Sequence, residues 1–224
     1  CLLFILLKIV VRIIYLLYLM NSKGDFSMNV PNKITICRII LSILLIVLMI
    51  FPMNRIGFDF PEFQINGKII IDSKYIICGI IFVVASLTDF LDGHLARKYN
   101  LVTDIGKVMD AIADKILVNA VLIVLAVNGY ISVVVPVVIV SRDIIVDSIK
   151  MVAGQKSGAV GASKTGKIKT ACMMSGITLL FFYNLPFSLI NINPARALIM
   201  IATVLSVISG VEYYIKNKKY LINN

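Results

Sequence analysis

The sequence has few charged residues, a single histidine and no closely spaced cysteines. Only 15% of its 224 residues are charged and 59% are hydrophobic, and the mean hydropathy is +0.96. Soluble domains are about half apolar and about one quarter charged, so the composition excludes water as the main solvent of this protein. The four cysteines include no C-x-x-C pair, so their spacing indicates no zinc site or disulfide framework.

The positive charge of the chain indicates its surroundings. The formal net charge is +10, and in so apolar a chain the expected partners are anionic membrane lipids rather than nucleic acid. No polar stretch is long enough for a second folded unit, so we predict one membrane domain over residues 28–224. Residues 1–27 are interpreted as an N-terminal extension, because the chain opens with Cys1 and a plausible natural start is Met28.

Six apolar segments predict the fold. A helix needs about 20 residues to cross about 30 Å of hydrocarbon. The candidate spans cover residues 34–52, 75–97, 106–127, 131–152, 169–186 and 195–215. The predicted fold class is therefore an all-α integral membrane protein with a six-transmembrane-helix bundle and a cytoplasmic-side active site. An extra apolar helix near the N-terminus is interrupted by Lys8 and Arg12, which suits an interfacial helix or a poor membrane span.

The charges of the loops predict the orientation of the spans. Residues 148–170 contain five lysines and no acid, whereas residues 128–132 and 187–194 contain no charge. Positively charged loops stay in the cytoplasm, so both termini of the core domain are predicted to be cytoplasmic in a multi-pass membrane protein. Three tyrosines near the C-terminus are interpreted as interfacial anchors. They are Tyr213, Tyr214 and Tyr220.

Four aspartates lie at the predicted cytoplasmic ends of the second and third spans. Asp89 and Asp92 are three residues apart, and Asp110 and Asp114 are four apart, so each pair occupies one helix face. Carboxylates crowded at a membrane boundary repel one another unless a cation neutralises them. Oxygen-only ligation favours two Mg²⁺ or Mn²⁺ ions, an arrangement that recurs in displacement at phosphorus. A cation transporter is the alternative function, although transporters more often place their acids near the bilayer midplane.

The aspartates belong to a longer pattern with eight fixed positions. The pattern reads Asp89-x2-Asp92-Gly93-x2-Ala96-Arg97-x8-Gly106-x3-Asp110-x3-Asp114. It resembles the signature of the CDP-alcohol phosphatidyltransferases. The resemblance implies a metal-dependent transferase that acts as a homodimer in a bacterial cytoplasmic membrane.

The resemblance also implies roles for individual residues. Asp89, Asp92 and Asp110 would hold the metals, and Asp114 would either ligate metal or act as general base on the acceptor hydroxyl. The cytidine diphosphate site would be bordered by Gly93, Ala96, Arg97 and Gly106, and also by Asn32 and Thr35. Arg38 is a weaker candidate for the same site.

Three further stretches resemble family members that use sn-glycerol 3-phosphate as the acceptor. They are residues 31–38, 141–143 and 162–170. The implied reaction transfers the phosphatidyl group of CDP-diacylglycerol to sn-glycerol 3-phosphate and releases CMP. Asp143 stands where those members usually have glutamate, so inositol phosphate, serine and phosphatidylglycerol stay open as acceptors.

A phosphorylated acceptor needs arginine or lysine at its phosphate. We predict that Arg142, Lys164 and Lys167 bind this phosphate. In the alternative interpretation the lysines only enforce the orientation and contact lipid headgroups, and Arg142 pairs with Asp143 or Asp147.

Overall fold

The computed structural model describes most of the chain beyond residue 29. The described residues are 30–51, 60–65, 69–98, 104–157, 161, 163–190 and 192–222. The predicted N-terminal helix within residues 1–27 lies outside them. Side chains are described for most of these residues, but not for residues 30–33, 65, 69, 90–98, 104, 105, 107, 155–157, 189, 219, 221 and 222.

Six α-helices make up most of the described chain. They are α1 (Val30–Ile50), α2 (Ser73–Lys98), α3 (Asp104–Val127), α4 (Val134–Ser157), α5 (Lys164–Phe181) and α6 (Pro194–Ile222), and a short 3₁₀ helix covers Phe187–Ile190. Each helix overlaps one predicted span, so the predominantly helical fold is confirmed. Within the described residues, one helical stretch is long and apolar enough to cross a membrane, namely Pro194–Lys218. The six-span bundle therefore stays a prediction.

Helix α5 begins before the predicted fifth span, and the predicted end of that span is wrong. Helix α5 begins at Lys164 rather than at residue 169, because the Ser163 side chain accepts a hydrogen bond from Gly166 N at 3.0 Å and caps the first turn. The helix ends at Phe181 rather than at residue 186. Tyr183 and Asn184 have φ angles of 55° and 56°, which are left-handed values that end a right-handed helix.

A two-stranded hairpin precedes α2, between the first and second predicted spans. Strands β1 (Glu62–Ile65) and β2 (Ile69–Asp72) pair in antiparallel register, with Glu62 opposite Asp72. The β-branched run at Ile69–Ile71 favours a strand, so the all-α fold class needs this correction. Asp72, the last residue of β2, caps the N-terminus of α2, because its Oδ1 accepts a hydrogen bond from Lys74 N at 2.8 Å.

The chain divides into two compact units, residues 1–120 and residues 121–224, with the division inside α3. In the first unit α1 packs against α2, and Leu45 and Phe82 are fully buried. Lys74 Nζ donates to the carbonyl oxygens of Met49 at 3.2 Å and Phe51 at 3.3 Å. A cation thus satisfies carbonyl groups at the C-terminal end of α1.

In the second unit α6 packs against both α4 and α5. The approach of α5 to α6 is close at Gly176, because a Cβ atom there would lie 2.7 Å from Ile199 Cγ1 and 3.2 Å from the carbonyl oxygen of Ala195. Asn184 connects the two helices, since its Oδ1 accepts a hydrogen bond from Ala195 N at 3.0 Å. Only a residue without a side chain fits at position 176 without displacing its neighbours.

Candidate active site

A buried arginine joins two of the predicted site aspartates. Arg38 Nη1 lies 2.6 Å from Asp89 Oδ1 and 2.7 Å from Asp110 Oδ1. Its side chain is 0% exposed and lies on the same face of α1 as Leu41, Ser42 and Leu45, which are also buried. The structure therefore brings a carboxylate of α2 and a carboxylate of α3 to one nitrogen atom of α1.

The two aspartates are far more accessible than the arginine between them. The Asp89 side chain is 35% exposed and the Asp110 side chain is 47% exposed. One guanidinium carries a single positive charge against two carboxylates, so this trio has a net charge of −1. The hard oxygen donors and the excess of carboxylates over cations in this trio fit a divalent ion such as Mg²⁺ or Mn²⁺.

The other two aspartates of the pattern are only partly defined. Asp114 is a half-buried residue of α3, one turn after Asp110 and on the same helix face. Asp92 follows Asp89 by one turn on α2, but its side chain lies outside the described set. Among the described side chains, no group of three or more His, Cys, Asp or Glu residues could hold a metal ion. The two-metal cluster therefore stays a prediction.

The residues predicted to border the cytidine diphosphate lie on the same three helices. Thr35 is buried on α1, one turn before Arg38, and Gly106 is half-buried on α3. Gly93, Ala96 and Arg97 belong to the last turns of α2, and Asn32 belongs to the first turn of α1. The side chains of Asn32, Ala96 and Arg97 lie outside the described set, so their contacts stay open.

A second charged cluster occurs in residues 121–224. Asp143 Oδ1 accepts hydrogen bonds from Arg142 Nη1 at 2.9 Å and from Lys169 Nζ at 2.8 Å. Arg142 also donates through Nε to the Ser206 carbonyl at 3.0 Å and through Nη2 to Ser209 Oγ at 2.7 Å. The pairing of Arg142 with Asp143, which was the alternative to phosphate binding, is thus present, and α6 holds the guanidinium in place.

A glycine makes room for this arginine. A Cβ atom at Gly210 would lie 3.2 Å from Arg142 Cγ, which is closer than ordinary van der Waals contact. Gly210 follows Ser209 on α6, so the serine that binds the guanidinium and the glycine that accommodates its stem are neighbours. The second cation of this cluster, Lys169, comes from a different helix, α5.

Lys169 is a cluster residue that the sequence reasoning did not select. The residue is only 8% exposed and lies on the same α5 face as Met173, Gly176 and Ile177. The two lysines that were selected, Lys164 and Lys167, are exposed. The sequence spacing distinguishes this lysine from the other two. Lys169 continues the three-to-four-residue spacing of the buried apolar stripe, whereas Lys164 and Lys167 do not.

Tyr213 corrects another interpretation made from the sequence. Its side chain is not an interfacial anchor, because the residue is only 4% exposed. Its hydroxyl accepts a hydrogen bond from Ser163 N at 2.8 Å and donates one to the Gly161 carbonyl at 3.1 Å. Tyr213 therefore binds the segment that leads into α5, while the neighbouring Tyr214 is exposed.

The fold and the aspartate pattern define the class of this protein. The sequence model of the CDP-alcohol phosphatidyltransferase family matches residues 28–208. The chain belongs to this family, as the resemblance of the eight-position pattern predicted. The matched residues include Arg38, both aspartates that it bridges, and the Arg142–Asp143–Lys169 cluster.

Individual relatives make the comparison more specific. The chain is 37% identical to the CDP-diacylglycerol–glycerol-3-phosphate 3-phosphatidyltransferase of Bacillus subtilis, over 84% of this chain and 95% of that protein. It is 32% identical to the protein of the same name from Rickettsia felis, over 86% of this chain and 97% of that protein. The apo crystal structure of Mycobacterium tuberculosis phosphatidylinositol phosphate synthase has the same fold, with a TM-score of 0.52, 18% identity, and coverage of 91% and 93% of the two chains.

Proposed function

We propose that this protein transfers the phosphatidyl group of CDP-diacylglycerol to sn-glycerol 3-phosphate and releases CMP. The observation that carries the proposal is the meeting of Asp89 and Asp110 at Arg38 Nη1, inside the region that matches the family. The choice of acceptor is supported by relatives that carry this activity in their names and align over nearly their whole length. The product would enter phospholipid biosynthesis.

The acidic cluster would hold the ions that such a reaction uses. Asp89, Asp92, Asp110 and Asp114 are the proposed ligands of two Mg²⁺ or Mn²⁺ ions. When bound, divalent ions neutralise phosphate oxygens and the charge that develops on a leaving phosphate. Arg38 is the proposed positioning residue, because its buried guanidinium holds the carboxylates of two helices at one point.

The chemical step is a displacement at the phosphorus that is attached to diacylglycerol. The acceptor hydroxyl oxygen forms a new bond to this phosphorus, the bond to the oxygen bridging the two phosphorus atoms breaks, and CMP leaves. Asp114 is the proposed general base that takes the hydroxyl proton. Gly93, Ala96, Arg97 and Gly106, with Asn32 and Thr35, are the proposed contacts of the cytidine diphosphate group, and they would orient the reacting bond.

The second cluster would receive the phosphate of the acceptor. Arg142, Lys164 and Lys167 are the proposed phosphate ligands, and the structure supports adding Lys169. The cluster of Arg142, Asp143 and Lys169 has a net charge of +1, and the exposed Lys164 and Lys167 lie in the first turns of α5. Charge-assisted hydrogen bonds from such groups are the usual means of binding a phosphate monoester.

The membrane arrangement is part of the proposal. We propose a multi-pass protein of six spans in a bacterial cytoplasmic membrane, with the active site and both termini of the core domain on the cytoplasmic side. A site at this boundary reaches both a substrate with two acyl chains and a water-soluble anion. Anionic lipids would surround the basic loops, and family resemblance supports a homodimer.

The test is CMP release from CDP-diacylglycerol by the purified protein in liposomes. We expect release with sn-glycerol 3-phosphate and Mg²⁺, loss of release in EDTA, and a decrease of at least about 100-fold in Asp114→Asn, since a positioned base contributes about 10²- to 10⁴-fold. Asp72→Asn is the matched control, because Asp72 caps the opposite end of α2. Release that survives both EDTA and Asp114→Asn would contradict the mechanism, and activity only with inositol phosphate, serine or phosphatidylglycerol would contradict the acceptor.

A further inference from the structure

The segment that leads into α5 is held by two consecutive residues of α6. Tyr213 contacts it before the helix starts, through Ser163 N at 2.8 Å and the Gly161 carbonyl at 3.1 Å. Glu212 contacts it inside the first turn, because both carboxylate oxygens lie within hydrogen-bonding distance of Thr165 Oγ1, at 2.8 and 2.9 Å. The contacts of α6 therefore lie at and on both sides of Ser163, the residue that caps α5.

Glu212 is an unusual residue at this position. It is the only acidic residue after Asp147 in the sequence, and basic residues Lys216, Lys218 and Lys219 follow it. Within the described part of the chain, its carboxylate contacts the Thr165 hydroxyl and forms no ion pair. A carboxylate at the N-terminal end of α5 is favoured by the helix dipole.

The lysines of this segment differ in what holds them. Lys169 is paired with Asp143 at 2.8 Å, whereas Lys164 and Lys167 are exposed and have no hydrogen bond or ion pair among the described residues. The position of these two lysines therefore depends on the backbone to which they are attached. Helix α6 contacts Gly161 and Ser163 before Lys164 and Thr165 after it. It therefore holds the backbone on both sides of this lysine.

Tyr213 also connects this segment to the second charged cluster. Its ring centroid lies 5.9 Å from Arg142 Cζ and 5.1 Å from Lys150 Nζ, distances at which a cation is attracted to an aromatic face. One side chain thus contacts both the backbone before Lys164 and the guanidinium of Arg142. Displacing Tyr213 would change the distance between these two groups of positive charge.

We infer that Glu212 and Tyr213 are positioning residues for the acceptor, which hold Lys164 and Lys167 at the distance from Arg142 and Lys169 that a phosphate monoester requires. This inference rests on the proposed function, because it assumes a phosphorylated acceptor. Neither residue touches the acceptor. They act through the backbone of the segment and through the Tyr213 ring.

The test compares Tyr213→Phe with Tyr214→Phe in the full-length protein in liposomes. The first variant removes the hydroxyl and keeps the ring, and the second changes an exposed neighbouring tyrosine. We expect Tyr213→Phe to raise the KM for sn-glycerol 3-phosphate about tenfold, because it removes two hydrogen bonds, while the KM for CDP-diacylglycerol stays within about twofold. Glu212→Ala should act in the same direction, and Glu212→Gln, which keeps one acceptor oxygen, should restore most of the affinity.

Hydrogen exchange separates this inference from the proposed function. Tyr213→Phe should speed amide exchange at Ser163 and Gly166, and Tyr214→Phe should not. Faster exchange with an unchanged KM for the acceptor would overturn the positioning role and leave the proposed function intact. An equal rise in the KM values of both substrates would also overturn it, since that result indicates general damage. If the parent protein uses only inositol phosphate, the proposed function fails, and the same comparison is made with that phosphorylated acceptor, where an unchanged KM again overturns the inference. Activity with only serine or phosphatidylglycerol would overturn both, because neither has a phosphate monoester.

Discussion

The two compact units contain charged clusters of opposite sign. In residues 1–120 a buried arginine lies between two aspartates, and in residues 121–224 a largely buried aspartate lies between an arginine and a lysine. Arg38 meets carboxylates from two other helices, whereas Asp143 meets its neighbour Arg142 and Lys169 of α5. The formal charges of the three groups sum to −1 in the first cluster and to +1 in the second. The first therefore suits a divalent cation, and the second suits a phosphate.

The two clusters also differ in which of their groups face solvent. In the first cluster the central arginine is fully buried, and the aspartates that would meet a ligand are 35% and 47% exposed. In the second cluster all three side chains are between 10% and 15% exposed, so the lysines that are open to solvent come from the adjoining turns of α5. The first cluster presents its own groups, whereas the second depends on neighbouring segments.

The largest effect should come from removing the centre of the first cluster. Arg38→Ala removes a fully buried side chain and leaves Asp89 and Asp110 close together without the charge of Arg38, so the variant loses packing as well as two ion pairs. We expect the free energy of unfolding to fall by about 3 kcal/mol, measured in detergent with EDTA present, together with loss of CMP release. Arg38→Lys should retain more stability, because both carboxylates contact the same nitrogen atom of the arginine.

Arg196→Ala is the matched control for Arg38→Ala. Arg196 is an exposed arginine in the first turn of α6, so we expect its removal to change the free energy of unfolding by less than about 0.5 kcal/mol. Equal stability of the Arg38→Ala and Arg196→Ala variants would show that the buried arginine does not hold the first cluster together.

A smaller effect should come from removing the centre of the second cluster. Asp143→Asn leaves Arg142 and Lys169 as neighbouring like charges, although Arg142 keeps its contacts to Ser206 and Ser209. We expect a loss of about 2 kcal/mol in the free energy of unfolding, measured by chemical denaturation. Asp143→Glu should be nearly neutral, since it keeps the charge. An Asp143→Asn variant as stable as the parent would mean that the two cations repel each other little, and the comparison of the two clusters would fail.

The smallest effect should come from changing packing without changing charge. Gly176→Ala introduces a Cβ atom that would lie 2.7 Å from Ile199 Cγ1, and overpacking of this kind costs about 1 to 3 kcal/mol. Gly154→Ala is the control, because a Cβ atom at this helical glycine would meet nothing within 4 Å. We expect Gly176→Ala to lower the thermal unfolding temperature and to leave the acceptor KM unchanged. A raised KM would indicate that the second cluster depends on the packing of α5 against α6.

Much of the fold could be predicted from the sequence, but the boundaries of its helices and strands could not. Apolar segments of about 20 residues indicated all six helices, because their composition is set locally. The start of α5 at Lys164 depends on the Ser163 cap, and the hairpin before α2 depends on the pairing of β1 with β2. These features arise from contacts whose partners the apolar pattern does not identify.

The candidate site shows the same limit. The spacing of Asp89 and Asp110 within a family pattern was enough to select both residues. Arg38 was considered only a weak candidate, and Lys169 was not selected, because a sequence does not reveal which of several cations a carboxylate contacts. Tyr213 was assigned to the membrane interface for a related reason, since its burial depends on the segment that packs over it.

The sequence by itself determined the family, the helical and apolar character of the chain, and the residue types of the site, because these follow from local composition and from fixed spacings along one chain. Only the tertiary structure decided which charges pair, since pairing requires side chains from separate helices to meet. The contacts of Arg38 and Asp110 join residues 72 positions apart, and those of Arg142 and Ser209 join residues 67 apart. Such contacts depend on how the helices pack against one another, and this packing decides where the two clusters form.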